Sequence, residues 1–133
     1  MLQAENITVR YGALTAVDGV SFTIEKGKTL GVVGESGCGK STLGRAVLGL
    51  NEATDGQVIF DGKDITHAKG KLRKDMKQKM QIIFQDPYSS LDSRMSVQQL
   101  IAEPLKINKL TKGKAQTEAK VKELMEIVGL ASR

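Results

Sequence analysis

The sequence predicts an α/β fold in which a small antiparallel sheet precedes a parallel core and the start of a helical part. Three observations predict it. Residues 2–10 and 16–24 alternate apolar and polar side chains, the period of half-buried strands. Leu30-Gly31-Val32-Val33 and Gln81-Ile82-Ile83-Phe84 are apolar runs without alternation, as in strands covered on both faces by helices. Around these runs lie segments whose apolar residues recur at helical spacing, Lys40 to Leu50 and Gly113 to Val128 being the clearest.

In chain order, Leu2, Ala4, Ile7 and Val9 sit among polar neighbours, so residues 2–10 suit an edge strand with one wet face. Tyr11-Gly12 breaks it. Alternation resumes from Ala16 through Val20, Phe22 and Ile24, and Glu25-Lys26-Gly27-Lys28 is a turn. The apolar run Leu30 to Val33 enters a glycine-rich loop. A helix over Lys40 to Leu50 follows, with Leu43, Ala46, Val47 and Leu50 along one face. Gln57 to Phe60 reads as a short strand closed by an Asp61-Gly62 turn. Leu72 to Met80 is a strongly basic helix, and Gln81 to Phe84 a second core strand ended by Asp86-Pro87. Ser96 to Glu103 is a helix stopped by Pro104. In the last helix Val121, Leu124, Met125 and Val128 form the apolar stripe. Glu118 and Lys122 make an i, i+4 pair there, and Gly129 marks the stop.

Composition narrows the class. The chain has 133 residues, 40% of them apolar and 26% charged, which suits one globular domain resting on aliphatic side chains, since aromatics are only 4%. The net charge of +5 is compatible with nucleic acid, a membrane surface or a phosphate ligand. Most lysines, however, alternate with Glu, Asp and Gln in Lys63 to Lys79 and Lys106 to Lys122. That pattern is a solvated helix face, and nucleic acid is not expected as a partner. The single cysteine, Cys38, cannot form an internal disulfide. The first residues lack the pattern of a signal peptide, and no run reaches the roughly 20 apolar residues of a membrane span. The expectation is a cytoplasmic chain whose membrane role is peripheral.

Gly34-Glu35-Ser36-Gly37-Cys38-Gly39-Lys40-Ser41 fits G-x-x-x-x-G-K-[ST] in full, the Walker A pattern. A triphosphate needs several donors converging on a small volume, and backbone N–H groups supply them only where the chain curls tightly. Gly34, Gly37 and Gly39 permit that curl. The helix opening at Thr42 adds free N–H groups and the positive end of its dipole. Lys40 brings a full charge to the β- and γ-phosphates, and the Ser41 hydroxyl is a ligand for Mg²⁺. Strand before and helix after are the context this motif requires. Cys38 stands at a variable position and reads as a small filler. The candidate binding residues are therefore Gly34, Glu35, Ser36, Gly37, Cys38, Gly39, Lys40, Ser41 and Thr42, with ATP and Mg²⁺ as ligands.

The pattern extends beyond the loop. Tyr11-Gly12, Ala16-Val17-Asp18-Gly19-Val20-Ser21-Phe22, Gly27 and then the phosphate loop resemble the opening of an ABC transporter ATP-binding subunit. Ile83-Phe84-Gln85-Asp86-Pro87-Tyr88-Ser89-Ser90-Leu91-Asp92 resembles that family's Q-loop region. With Met95-Ser96-Val97 and Ile101-Ala102-Glu103-Pro104-Leu105 after it, the wording is most similar to the dipeptide, oligopeptide and nickel importer group. The resemblance covers essentially the whole chain. It implies that Tyr11 stacks on adenine, and that Gln85 senses Mg²⁺ and the attacking water, a task for which a neutral amide has both donor and acceptor. It also implies that the residues after Gln85 touch transmembrane permease subunits, and that a second ATP-binding subunit completes the site. A competing reading makes Ile82 to Asp86 a Walker B strand with Asp86 on Mg²⁺, although Asp86 comes one residue late and Pro87 follows it. His67 precedes the position of the family's late histidine and reads as a surface residue.

The resemblance divides the chain into an antiparallel part (1–29), a nucleotide-binding core (30–85) and the Q-loop region with the start of a helical subdomain (86–133). No Leu-Ser-Gly-Gly-Gln-like signature and no apolar strand ending in Asp-Glu appears. The expectation is a truncated subunit that binds Mg·ATP but does not hydrolyse it alone, with apolar core segments left open to solvent. A naturally short nucleotide-binding module is the alternative. A GTPase is disfavoured, because Asn108-Lys109-Leu110-Thr111 does not complete a guanine-reading Asn-Lys-x-Asp.

Overall fold

The computed structural model describes residues 1–130; the expected helical subdomain runs to Arg133, and its residues 131–133 lie outside the described residues. Two compact units form, Met1–Gln81 and Ile82–Arg133.

The first unit is built on a four-stranded antiparallel sheet of order β2-β1-β3-β4. Strands β1 (Leu2–Tyr11) and β2 (Leu14–Ile24) form a hairpin in which Tyr11 pairs with Leu14 across the Gly12-Ala13 loop. Both strands were expected, and β2 starts two residues earlier than the alternation indicates. On the other side β1 pairs with β3 (Asp55–Phe60), which turns into the two-residue β4 (Lys63–Asp64). Asp61 and Gly62 both take positive φ, 48° and 75°, as a tight hairpin turn requires. Of the expected inward set of β1, Ala4, Ile7 and Val9 are buried and Leu2 is half-buried, while the polar Thr8 is buried as well. Ala4, Ile7 and Val9 pack with Val17, Val58 and Ile65, and with Leu43, Ala46 and Val47 of α1 (Lys40–Val47). Helix α2 (Gly70–Lys79) adds Met76 to this core, while its lysines face solvent.

In the second unit α3 (Pro87–Ser90) is one turn, and α4 (Val97–Ile107) packs on α5 (Gly113–Ile127) through Ala102, Leu105, Val121 and Met125. Ser96 caps α4 in a reciprocal box with Gln99.

Five expectations are corrected. Leu30 to Val33 and Gln81 to Phe84 form no strand, and pair with nothing among the described residues; Val33 is 96% and Ile83 94% exposed. A strand is held by hydrogen bonds to neighbours on its edges, and among the described residues these runs have none. Leu50 leaves the α1 stripe, because the helix ends at Val47 and the following turn carries Leu50 to solvent. Pro104 does not stop α4 but lies inside it. The helix gives up one backbone donor there and keeps Leu105, a residue further on, buried against α5. Glu118 faces Lys114, at 3.8 Å, rather than Lys122. Val128, just past the end of α5, is exposed.

Candidate functional site

The phosphate loop connects residue 33 to α1, and its shape follows from two close approaches and one glycine of positive φ. Gly39 is the N-cap of α1 with φ 94°, and a Cβ there would stand 2.3 Å from the carbonyl oxygen of Ala16 on β2. Only glycine fits where the helix start is pressed onto the sheet edge. Gly37 also has positive φ, 84°, inside the turn. Gly34 does not; what excludes a side chain there is the Cys38 thiol, 2.7 Å from where its Cβ would be. The curl is closed by the hydrogen bond from the Cys38 amide to the Glu35 carbonyl, 3.3 Å.

Lys40 folds back into this curl. Its ammonium donates to the carbonyl oxygens of Gly34 (2.8 Å) and Glu35 (2.6 Å) and lies 3.5 Å from Cys38 Sγ. Thus Gly34, Glu35, Cys38 and Lys40 are brought together, with Ser36 and Gly37 exposed at the crest. Ser41 is exposed and Thr42 half-buried on the first turn of α1. No side chain caps that turn, so its leading N–H groups are left to an outside acceptor. A curl of backbone amides with one ammonium and an exposed hydroxyl has the donor chemistry that suits a polyphosphate with its divalent cation. Mg²⁺ ordinarily takes few protein ligands and draws the rest from phosphate and water. Among the described residues no cluster of three or more His, Cys, Asp or Glu is placed to hold a metal.

Tyr11 ends β1 and is 51% exposed. Its hydroxyl accepts a 2.8 Å hydrogen bond from the side-chain amide of Asn51, whose backbone N–H donates to Arg45 of α1 at 3.2 Å. Sequence reasoning missed Asn51, and nothing local in Leu50-Asn51-Glu52 marks it. Gln85 is exposed and outside regular structure in the second unit. Asp86, the competing metal ligand, accepts from the Tyr88 amide at 3.1 Å, so its carboxylate caps α3 at a turn rather than ending a strand. His67 is exposed, as expected.

A glycine-rich curl opening a helix over an antiparallel sheet is the architecture of a phosphate-loop ATP-binding cassette. The chain belongs to the ABC transporter family, whose model matches residues 17–133. It is 53% identical over 120 residues to the oligopeptide transport ATP-binding protein OppF of Bacillus subtilis, covering 90% of this chain and 39% of that protein. To OppF of Streptococcus mutans it is 43% identical over 98% of this chain and 44% of that protein. To the dipeptide transport ATP-binding protein DppF of Lactococcus lactis it is 47% identical over 90% and 39%. The chain therefore spans about two fifths of the length of these curated relatives. Among solved structures, a dimeric bacterial ABC transporter cassette superposes with TM-score 0.78 at 21% identity, over 100% of this chain and 59% of that one. A nucleotide-free ATP-binding cassette of an ABC transporter gives 0.73 at 27% identity, over 98% and 54%.

Proposed function

We propose that this chain binds Mg·ATP through residues 34–42 and belongs to the ATP-binding subunit that energises a membrane importer of peptides or a related small solute such as nickel. The observation that carries the reading is the Lys40 ammonium held inside the loop, 2.6 Å from the Glu35 carbonyl, beneath an uncapped helix start. The curl is held by the chain's own contacts, Cys38 to Glu35 and Lys40 to Gly34 and Glu35, which would reduce the ordering that binding has to offset.

Gly37, Gly39, Lys40, Ser41 and Thr42 would surround the phosphates with N–H groups, and Tyr11 would offer its ring to adenine. The residues this reading assigns to Mg²⁺ are Ser41 and Gln85, and the ion would supply positive charge against the phosphates. Hydrolysis would be positioning and charge stabilisation, with Lys40 and Gln85 the groups this chain supplies. The relatives are named for peptide transport, which supports the cargo class. Residues following Gln85 would meet the permease, and a second ATP-binding subunit would close the site. In this reading the chain works at the cytoplasmic face of the membrane. Among the described residues no helix is long and apolar enough to cross one. The 133 residues alone bind without turnover in this reading, since neither a signature segment nor an Asp-Glu strand is in the sequence.

Calorimetry on the full chain tests it. Saturable Mg·ATP uptake that Lys40→Ala abolishes or weakens supports the reading, and no uptake by folded protein removes it. Phosphate release that is sensitive to Lys40→Ala would overturn the claim of an inert chain.

A further inference from the structure

The hydrogen bond between Asn51 and Tyr11 joins two residues forty apart in sequence, and no feature of the phosphate chemistry calls for it. We propose that Asn51 is a positioning residue for the base: it fixes the Tyr11 ring as a platform and couples that platform to the helix that carries the phosphate loop. The proposal rests on the reading of Tyr11 as the adenine-stacking residue.

A tyrosine at a strand end with half its surface in water is free to rotate about two side-chain bonds, and stacking it on a flat ligand freezes both. Here the hydroxyl is already tied at 2.8 Å to the Asn51 amide. Asn51 is itself fixed, because the amides of Leu50 and Asn51 both return to the Arg45 carbonyl, at 2.8 and 3.2 Å. The same helix begins at Gly39, pressed on Ala16. Ring and loop therefore hang from the two ends of one eight-residue helix, and their spacing is set by the fold rather than by the ligand. The chain beside Asn51 is anchored as well. Thr54 donates its N–H to Thr8 at 2.7 Å and accepts from the Arg10 N–H at 2.9 Å, holding the segment after α1 along the end of β1. The tie engages only the hydroxyl at the tip of the ring, and the residue as a whole is half exposed.

Stacking on a preset ring keeps binding energy that would otherwise be spent on ordering the side chain. A ligand that has phosphates but no base does not use the ring at all. The tie should thus matter for nucleotide and not for bare polyphosphate.

The test compares Mg·ATP with Mg·tripolyphosphate by calorimetry on the full chain. Wild type is expected to bind ATP more tightly than tripolyphosphate. Asn51→Ala should weaken ATP about three- to ten-fold, the loss of one neutral hydrogen bond, and leave tripolyphosphate unchanged. Tyr11→Phe keeps the ring and removes the acceptor. It should match Asn51→Ala, and the double variant should lose no more than either single one. This second variant keeps the test decisive if Asn51→Ala melts early. An unchanged ATP affinity in both variants overturns the proposal, as does an equal loss for both ligands, which would mark a structural role. Wild type binding both ligands equally, with Tyr11→Ala silent, would overturn it and leave the phosphate reading standing. Wild type binding neither would remove both.

Discussion

The Lys40 ammonium and the Glu35 carbonyl oxygen are 2.6 Å apart, so the cation proposed to meet the phosphates is also a clasp on its own loop. Three donors on one nitrogen can keep one carbonyl and turn toward a phosphate. Lys40→Ala is expected to lower Mg·ATP affinity about 10- to 100-fold, the worth of a hydrogen bond to a charged group. Lys40→Arg should not restore it, because a planar fork does not fit where a compact point charge sits between the carbonyls of Gly34 and Glu35. Calorimetry reads both.

Gly39→Ala tests the seat of the helix. The new Cβ would lie 2.3 Å from the Ala16 carbonyl oxygen, at a φ of 94° that alanine rarely adopts. Backbone on both sides leaves no flexible side chain to yield. Strain of this kind costs about 1–3 kcal/mol before any clash is relieved. A lowered melting temperature together with weakened Mg·ATP binding is the expected result; a melt equal to wild type would mean that the sheet edge moves freely.

Acid should loosen the β3–β4 corner. The Val58 amide donates to the Thr66 hydroxyl at 2.8 Å, and that hydroxyl donates to Asp64 at 2.6 Å. The Thr66 hydroxyl and then its backbone N–H hold the Asp64 carboxyl below the usual aspartate range. A depressed folded pKa contributes stability that is present above the unfolded value of about 3.9 and lost as pH falls through the folded one. The melting temperature should therefore drop below about pH 4, and Asp64→Asn should flatten that dependence while lowering the plateau at neutral pH. The effect is small, since the carboxyl is exposed to water.

What the sequence made legible was local. Ile7 and Val9, like Leu2 and Ala4, stand two apart and announce a strand because period two needs no knowledge of the partner; the change of phase between Ala4 and Ile7 is where the pairing register shifts. The spacing of Gly34, Gly39, Lys40 and Ser41 announces the loop for the same reason. Pro104 misleads because the rule sees the lost donor and not the burial of Leu105 against α5. Leu30 to Val33 misleads because an apolar run states what a segment would pair with, not that a partner is beside it. The Ala16 carbonyl at Gly39 and the Asn51 amide at Tyr11 are invisible for a related reason: each joins residues brought together only by the finished sheet and helix.

Those unpaired runs carry the last prediction. Val33 and Ile83 show almost their whole surface to water, and Leu30, Val32, Ile82 and Phe84 expose more than a third of theirs. An extended apolar segment with open N–H and C=O groups is a template for another chain. In the purified chain, association that grows with concentration is therefore expected, read as a rising mass by light scattering or sedimentation. Val33→Lys and Ile83→Lys each place a charge on one run without touching the buried clusters. The double variant should shift the mass toward monomer and leave the melt of the β1–β3 core within about 0.5 kcal/mol of wild type, as exposed substitutions do. A wild-type chain that stays monomeric across the whole range would show that these runs are shielded in solution.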